Sequence, residues 1–473
     1  MRGSEWELVV GLEVHVHLKT RTKMFCRCAL EYGAAENTHT CPVCLAHPGA
    51  LPVPNARAIE MTILLGLALD CEIAERAVFA RKNYFYPDLP KGYQISQYES
   101  PLCGPGRVLL PRERGDREIG IVRAHLEEDA AKTVHAGGAT GRSVGADYSL
   151  VDFNRGGTPL LEIVSAPDLR SADEAVSFLR LLRQTIVDVG ISDADMEKGT
   201  LRADVNVSVR HVGEEGFRPR WEIKNMNSFR FIGRAIDAAF RQQVAAHEAG
   251  EEVVQSTYDY DDHTDRLTVH RSKEEADVYR YFPEPDLVPV EPTVELLERV
   301  RAESVDRQGR VRGWPADRIT RLAAELGVSS AVELVTTEKD AYAEWLADAG
   351  LDWKTAAAVA MNRGGFNRMN APALVQILEA NVTREALDEA FEAAKGGAIR
   401  AEDYLSRAAV ADEDALAPVI DAVIASHPEQ VETYRGGKEG VLGFLVGQVM
   451  RETQGKADPK VVNQLLREKL QRG

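Results

Sequence analysis

Four cysteines in two close pairs form the clearest metal-binding pattern of the sequence. One residue separates Cys26 from Cys28, two separate Cys41 from Cys44, and the twelve residues between the pairs are typical of a loop. Four thiolates with this spacing can surround one tetrahedral Zn²⁺ and leave it no open coordination position. The pattern therefore predicts a structural zinc site, and the alternative is four unpaired thiols.

Carboxylates and histidines form a second group that could bind a hard cation. Glu13 and His15 stand two positions apart near the N-terminus, and Glu127 and Glu128 belong to the acidic run that ends at Asp129. Mg²⁺ prefers a few carboxylate oxygens and keeps several of its waters. The alternation before the acidic run indicates that at least one of its glutamates points inward. A solvated acidic surface is the alternative.

Residues 81–97 combine cationic side chains with aromatic rings. Such a segment can bind phosphates and stack on bases, or it can be a well-packed loop. Two further polar runs, residues 152–162 and 222–229, hold Asn, Arg and Lys among turn residues. The cations and rings of the first segment are Arg81, Lys82, Lys91, Tyr84, Phe85, Tyr86 and Tyr93.

Two alternating segments are predicted to position part of this chemistry. Residues 10–18 and 201–210 each place apolar side chains at every second position, which predicts strands with one buried face. Charged faces of this kind are typical of the floor of a cleft, and a solvated face of an antiparallel sheet is the alternative. The polar faces carry Glu13, His15 and His17 on the first strand, and Arg202, Asp204, Asn206, Ser208 and Arg210 on the second.

Helices are predicted at two places. Ser171, followed three residues later by Glu174, has the form of a capping box, and apolar residues then recur at helical spacing until Gly190. The composition changes near residue 285. Residues 281–293 contain four prolines, which break helices and favour extended chain, so this segment is predicted to be a linker. Beyond it Ala, Glu, Leu and Arg dominate at helical spacing. The sequence thus predicts an α+β fold.

Length and composition exclude several classes of protein. A chain of 473 residues has room for about three domains. Its 44% apolar and 28% charged residues exclude a mostly disordered or fibrous protein. No apolar run approaches the ~20 residues of a membrane span, and no secretory signal is visible. Six cysteines are too few for a secreted disulfide scaffold, so we expect reduced thiols in the cytoplasm.

The charge distribution bears on nucleic-acid binding. The net charge of −17 disfavours generic binding to a phosphate backbone. Residues 431–473, however, hold eight Lys or Arg and five Asp or Glu, a net charge of +3. If the protein contacts RNA, this segment is the expected place, and a solubilising cap on a helical domain is the alternative. No G-x-x-x-x-G-K-[ST] phosphate loop occurs.

Taken together, several segments resemble the B-subunit family of the bacterial tRNA-dependent amidotransferases. The resemblance runs from about residue 7 to 472, but residues 295–430 match only loosely. The matches occur in a common order, which makes chance an inadequate explanation. They are GLEVHVHL, RKNYFYPDLPKGYQISQY, HLEEDAAK, DFNRGGTPLLEIVSAPD, GTLRADVNVSVR, EIKNMNSF, YRYFPEPDL and YRGGKEGVLGFLVGQVMRETQGKADP.

The resemblance implies an activity and its partners. The family acts in a heterotrimer with the A and C subunits, within cytoplasmic protein biosynthesis. The B subunit, a ligase, uses ATP and Mg²⁺ to phosphorylate the side-chain carboxylate of Glu-tRNA(Gln), Asp-tRNA(Asn) or both. Ammonia from the A subunit, a glutaminase, then gives Gln-tRNA(Gln) or Asn-tRNA(Asn). The implied fold is a mixed-sheet cradle with a zinc-binding loop in residues 1–290, an all-α domain in 291–405, and a small helical tail that contacts tRNA in 406–473.

The resemblance also implies roles for particular residues. Glu13, His15, Glu127 and Glu128 fall where the family places its metal-binding cluster, and Glu13, His15 and one or both of the other two are expected to converge on Mg²⁺. Lys82 and Lys91 are candidate phosphate or channel contacts. Cys26, Cys28, Cys41 and Cys44 occupy the zinc position found in part of the family. By the strand-face argument alone, the candidates for nucleotide binding are Arg202, Asp204, Asn206 and Lys224.

Two other functions compete with this interpretation. The chain could be a zinc-bearing scaffold that only positions tRNA for a partner enzyme, although its polar strand faces argue against that. It could also be a free-standing ATP-dependent carboxylate–amine ligase, which would need its own glutaminase or free ammonia. No glutaminase motif is visible in the sequence. ATP hydrolysis that depends on misacylated tRNA separates the three functions.

Overall fold

The computed structural model divides the chain into two compact units, Met1–Arg321 and Leu322–Gly473. It describes residues 5–137, 146–224, 226, 228–272, 279–407, 412–453 and 455–472. Among these residues, no helix combines the length and apolar composition that crossing a membrane requires.

The first unit contains the strands and the helices that cover them. In chain order the strands are β1 (Trp6–His17), β2 (Ala80–Asn83), β3 (Tyr93–Ser96), β4 (Gly106–Leu110), β5 (Arg117–Glu128), β6 (Lys132–Ala136), β7 (Tyr148–Asp152), β8 (Pro159–Ser165), β9 (Leu201–His211), β10 (Trp221–Lys224), β11 (Ser256–Asp261), β12 (Arg266–Ser272) and β13 (Phe282–Pro283). The helices are α1 (Ala56–Ala68), α2 (Ala172–Val189), α3 (Phe229–Glu248) and α4 (Val294–Val311), followed by α5 (Pro315–Leu326) across the boundary between the units.

Eight strands form one mixed sheet in the order β12-β11-β10-β9-β1-β8-β5-β4. Neighbouring strands are antiparallel except β10 and β11, which run parallel. The two strands predicted from alternation are β1 and β9, side by side at the centre. Their apolar residues, such as Val10 and Val205, are fully buried. The polar side chains of β1 and β9 therefore lie on the opposite face of the sheet, as the alternation predicts.

Helix α2 begins and ends where the sequence predicts. Ser171 accepts a hydrogen bond from the Glu174 backbone N–H, and Gly190 ends the helix in the left-handed conformation with φ 73°. The capping box is only half formed, however. The Glu174 carboxylate accepts from the Arg170 N–H at 2.8 Å and pairs with Arg112 and Arg117, so these cations draw it away from the Ser171 backbone.

Residues 281–293 are extended, as their prolines predict, but they belong to the first unit. Strand β13 pairs with β2, and Val290 pairs with Ala77. Helix α4 then packs against α1, where Arg57 contacts Glu303 through two hydrogen bonds of 3.0 and 3.2 Å. The first unit therefore continues past the predicted boundary at residue 290.

The regular elements described in the second unit are all helices, which confirms the predicted α+β class. One apolar cluster lies within residues 346–401 and another within residues 416–470. They fall on either side of the predicted division at 405/406, and residues 408–411 lie outside the described residues. The helices after α5 are α6 (Val328–Thr336), α7 (Asp340–Asp348), α8 (Trp353–Arg363), α9 (Ala371–Glu379), α10 (Arg384–Gly396), α11 (Glu402–Leu405), α12 (Glu413–Ser426), α13 (Pro428–Arg435), α14 (Leu442–Glu452) and α15 (Pro459–Arg472).

Candidate functional site: a charged cavity on the central sheet

The polar faces of the central strands line a cavity of about 650 Å³. In the strand register, Glu13 of β1 lies opposite Asp204 of β9, and His15 lies between Arg202 of β9 and Glu162 of β8. Residues opposite each other on neighbouring strands project from the same face about 5 Å apart. Strand pairing alone therefore gathers carboxylates, a histidine and a cation on one wall.

The first group of potential metal ligands is His15, Glu127 and Glu162, whose ligand atoms all lie within 4.8 Å of one another. The His15 Nε2 atom is 3.2 Å from Glu162 Oε2 and 3.9 Å from Glu127 Oε1. The Ser96 hydroxyl donates a hydrogen bond of 3.4 Å to Glu127. The structure thus brings together His15 and Glu127, as expected, and adds Glu162, which the sequence analysis missed.

Burial and neighbouring charges shift the pKa values of this group in different directions. Burial lowers the pKa of His15, but the hydrogen bond and charge of Glu162 outweigh it and raise the value to about 9. Burial raises the pKa of Glu127 to about 7, helped by the charge of Glu162. Burial alone would raise the pKa of Glu162, yet His125 and His15 hold it well below its usual range. Desolvation lowers the pKa of His125 to about 4.

The second group of potential ligands is Glu13, Asp204 and Glu222, again with ligand atoms within 4.8 Å of one another. Lys224 lies beside them, with its Nζ 2.7 Å from Asp204 and 3.2 Å from Glu222. Burial lowers the Lys224 pKa, but these two carboxylates outweigh it and raise the value above its usual range. Asn206 donates a hydrogen bond of 2.9 Å to Glu13 and so orients that carboxylate.

A smaller cavity of about 330 Å³ shares His15 and Lys224 with the first, and Asp129 and Arg202 contribute to its wall. The Asp129 carboxylate lies 2.7 Å from His17 Nε2, 3.2 Å from an Arg202 amino nitrogen and 3.5 Å from Arg155 Nε. Burial works against its charge, but these neighbours hold the Asp129 pKa well below its usual range. This part of the wall of the smaller cavity is therefore formed by ion-paired side chains.

The two lysines of residues 81–97 have different surroundings. Lys82 lines both cavities, and its Nζ lies 4.9 Å from the ring centre of Tyr279. Lys91 instead pairs with Glu128, which also accepts the Ile95 N–H at 3.0 Å. Arg81 of the same segment is tied by its guanidinium to Glu284, at 2.7 and 2.8 Å.

Glu128 lies apart from the carboxylate groups of the cavity. It follows Glu127 on β5, and adjacent residues of a strand project from opposite faces. Of these two glutamates, only Glu127 therefore lines the cavities. The structure does not bring Glu128 into either group of potential metal ligands among the residues that it describes.

Several residues of the cavity were missed by the sequence analysis. Glu162 is the single acid of the mostly apolar strand PLLEIVS, and that contrast was a usable signal, whereas Glu222 lies beside Lys224 in the short strand WEIK. Tyr281 stacks on Tyr98 with ring centres 4.3 Å apart, a contact between distant segments that no local pattern reveals. In the polar run 222–229, Asn225 and Asn227 lie outside the described residues.

The four predicted zinc ligands converge. The Sγ atoms of Cys26, Cys28, Cys41 and Cys44 all lie within 4.8 Å of one another, and none forms a disulfide. The Cys44 Sγ is 4.0 Å from that of Cys28 and 3.9 Å from that of Cys41. Tetrahedral coordination with Zn–S bonds near 2.3 Å places sulfur atoms about 3.8 Å apart. The cluster therefore fits Zn²⁺.

Comparison with known proteins identifies the family. Residues 8–298 match the model of the GatB/GatE catalytic domain, and residues 368–470 match that of the GatB domain. Curated relatives named as the B subunit of aspartyl/glutamyl-tRNA(Asn/Gln) amidotransferase include that of Anaeromyxobacter sp. (strain K), 44% identical over 495 residues with 99% of both chains covered. That of Geobacter sulfurreducens is 46% identical over 488 residues, covering 98% of this chain and 99% of the relative. These findings confirm the resemblance seen in the motifs, and the chain belongs to the B-subunit family of the aspartyl/glutamyl-tRNA amidotransferases.

Proposed function

We propose that this chain activates the side-chain carboxylate of misacylated Glu-tRNA(Gln), Asp-tRNA(Asn) or both by ATP-dependent phosphorylation, so that ammonia can convert it to the amide. One observation carries the proposal: two groups of carboxylates and several cations line a single cavity on the central sheet. A surface that served only as a scaffold would not need so many charges withdrawn from water, because burying them is costly.

The chemistry requires this arrangement. A carboxylate is a poor electrophile because it is negatively charged and has no good leaving group. Transfer of the γ-phosphoryl group to a carboxylate oxygen releases ADP and forms an acyl phosphate. Attack by ammonia on the acyl carbon then releases phosphate, loses a proton and leaves the amide. In the first step two anions approach each other, so the site has to supply positive charge.

Residues of the cavity wall can supply and orient that charge. We assign Lys82 and Arg202 to the phosphate groups, because both line the smaller cavity beside the carboxylates. Lys224 contacts Asp204 and Glu222 of the second carboxylate group and lines both cavities. Both groups suit Mg²⁺, whose preferred ligands are oxygens, and His15 could act through a water. When bound there, Mg²⁺ would neutralise phosphate oxygens and align the γ-phosphoryl group.

The partners follow from the same proposal. The serine hydroxyls of the larger cavity, Ser96 and Ser165, hydrogen-bond to Glu127 and to the Ala166 carbonyl. Ammonia would come from a glutaminase, the A subunit, with the C subunit completing a heterotrimer. The tail from residue 406 onward would bind the tRNA away from the reacting carboxylate. We place the reaction in the cytoplasm, where reduced cysteines can hold a structural Zn²⁺.

The decisive experiment uses the assembled complex. The chain is purified with its A and C partners, and ATP hydrolysis and amide formation are measured with misacylated tRNA(Gln) and tRNA(Asn), each against its uncharged form. The proposal predicts ATP hydrolysis that depends on the misacylated residue. Glutamine hydrolysis without ATP turnover on either substrate would instead favour a tRNA-positioning scaffold.

A further inference from the structure

The turn that leads from β7 into β8 is held by the first arm of the cysteine loop. We define the cysteine loop as residues 23–44 and the turn as residues 151–158. Lys23, which is fully buried, donates a hydrogen bond of 2.9 Å from its ammonium group to the Phe153 carbonyl. The next residue, Met24, donates its N–H to the Gly157 carbonyl at 2.7 Å. This arm continues directly into Cys26 and Cys28.

The second arm of the loop holds the turn from the other side. Asn37 donates its backbone N–H to Asp152 at 3.0 Å, and its side-chain oxygen accepts the Phe153 N–H at 2.8 Å. The Asn154 side chain accepts the His39 N–H at 2.8 Å and donates to the Ala35 carbonyl at 2.7 Å. This arm continues into Cys41 and Cys44, so the two arms end in the two cysteine pairs.

The turn also contacts residues 129–131, which carry part of the wall of the smaller cavity. Arg155 donates to the carbonyls of Ala130 at 2.9 Å and Ala131 at 2.7 Å. Gly157 donates its N–H to the Asp129 carbonyl at 2.8 Å. Gly157 has φ +85°, a conformation that other residues rarely adopt, so this contact with Asp129 favours glycine at position 157. Asp129 in turn carries the contacts with His17 and Arg202.

We propose that the cysteine loop acts as a clamp that positions the Asp129 segment of the cavity, and that Asn154 is its main positioning residue. The four cysteine side chains converge where the two arms end. The arms hold the turn through the hydrogen bonds named above, and the turn holds residues 129–131. Zn²⁺ at the cysteines would fix the spacing of the arms. The catalytic consequence of the clamp rests on the proposed function, whereas the clamp itself does not.

The test compares two neighbouring substitutions in the full complex. Asn154→Ala removes both bonds between the second arm and the Asn154 side chain. Thr38→Ala is the matched control, because the Thr38 hydroxyl bonds to Ala35 within the same loop, at 2.6 Å. Three quantities are measured: bound zinc, amide hydrogen exchange at residues 129–131 and 155–158, and the kcat and KM of tRNA-dependent ATP hydrolysis. Asn154→Asp, which keeps the acceptor for His39, should have a smaller effect than Asn154→Ala.

We expect Asn154→Ala to keep its zinc, to speed exchange at residues 129–131 about tenfold through the loss of two hydrogen bonds, and to lower kcat about tenfold with little change in KM for tRNA. Thr38→Ala should change none of these. Equal amide exchange at residues 129–131 in Asn154→Ala and Thr38→Ala would overturn the clamp. Faster exchange in Asn154→Ala together with the wild-type kcat would overturn the role of the clamp in positioning. An absence of ATP hydrolysis in the wild-type complex would refute the proposed function, and exchange would still decide whether the clamp exists.

Discussion

At the scale of single residues, neighbouring carboxylates of one strand have different surroundings. Glu127 contacts His15 across the cavity, whereas Glu128 pairs with Lys91 on the other face of β5. The difference follows from the two-residue period of a strand. The same substitution at these two positions should therefore have different effects.

Glu127→Gln should abolish most tRNA-dependent ATP hydrolysis in the complex, by about a hundredfold or more in kcat, because an amide replaces a carboxylate that could bind Mg²⁺. Its melting temperature should change little, since burial already holds the Glu127 pKa near 7. The control is Glu118→Gln, an exposed glutamate on the same strand that pairs at the surface with Arg107. Wild-type ATP turnover in Glu127→Gln would refute the assignment.

Glu128→Gln should act mainly on stability. The substitution leaves the partly buried Lys91 ammonium without its carboxylate, and such a loss costs about 1–3 kcal/mol. Urea denaturation of the chain without its partner subunits measures this free energy of unfolding. The companion substitution Lys91→Met, combined with Glu128→Gln, should recover part of the loss because no unpaired charge then remains. A double variant less stable than either single variant would contradict this account.

The stability of the chain should fall at alkaline pH because of His15. Its pKa is raised from 6.5 to about 9, so the bound proton stabilises the folded state fully below pH 6.5 and is lost as the pH rises through about 9. The shift corresponds to about 3 kcal/mol. Without divalent cations, thermal unfolding of the wild type should shift to lower temperature between pH 6.5 and 9. His15→Gln should flatten that slope, and an equal slope in the variant would disprove it.

At the level of elements, the cysteine loop contains no named helix or strand, and hydrogen bonds to the turn hold both of its arms. Lys23 and Asn37 hold the turn from opposite arms, and the cysteine pairs lie at the ends of those arms. Loops with few apolar contacts gain their stability from such cross-links. Removing one thiolate should therefore affect both the metal and the contacts beyond it.

The purified chain should contain about one Zn²⁺, and Cys41→Ser should lose it and melt at a lower temperature. Elemental analysis and thermal unfolding measure the two effects. Cys71→Ser is the control, because Cys71 is a cysteine outside the cluster and should leave the zinc content unchanged. Protein kept from chelators and oxidants that contains no zinc, or that shows a disulfide among the four cysteines, would contradict the prediction.

At the scale of the whole molecule, the tail has an apolar core of its own. Leu445 and Leu466 belong to the cluster within residues 416–470, whereas the preceding cluster ends at Ala401. Helix α15 exposes Lys460 and Arg467 along a shallow depression, although the chain as a whole has a net charge of −17. Positive charge on a tail with an apolar cluster of its own suits contact with an RNA backbone.

Truncation after Arg407, which keeps the bond from the Thr383 N–H to the Arg407 carbonyl, should raise KM for misacylated tRNA. Glutamine hydrolysis by the A subunit without tRNA should persist. The double variant Lys460→Ala/Arg467→Ala should give a smaller rise, because each lost phosphate contact weakens binding and reduces its salt dependence. Lys354→Ala on α8 is the control. Unchanged tRNA binding by the truncated complex would show that the tail is only a cap.

Features that depend on local spacing could be predicted from the amino-acid sequence. The alternation around Glu13 and Asp204 predicted two strands and the face on which these side chains lie, and the structure confirms both. The spacing of the four cysteines predicted a cluster whose sulfur atoms do converge. Strand period, helix capping at Ser171 and chelation by close pairs depend on neighbours in the chain, so they can be inferred without knowledge of the fold.

Which charged groups meet depends on the order and register of the strands. Glu162 and Glu222 join the cavity because β8 and β10 pair beside the central strands, and Glu128 is excluded because the register of β5 turns Glu127 inward. The contact of the 151–158 turn with the cysteine loop likewise joins segments more than a hundred residues apart. Strand order and register are set by the burial of the whole sheet rather than by local pattern, which is why no local pattern in the sequence could assign these contacts.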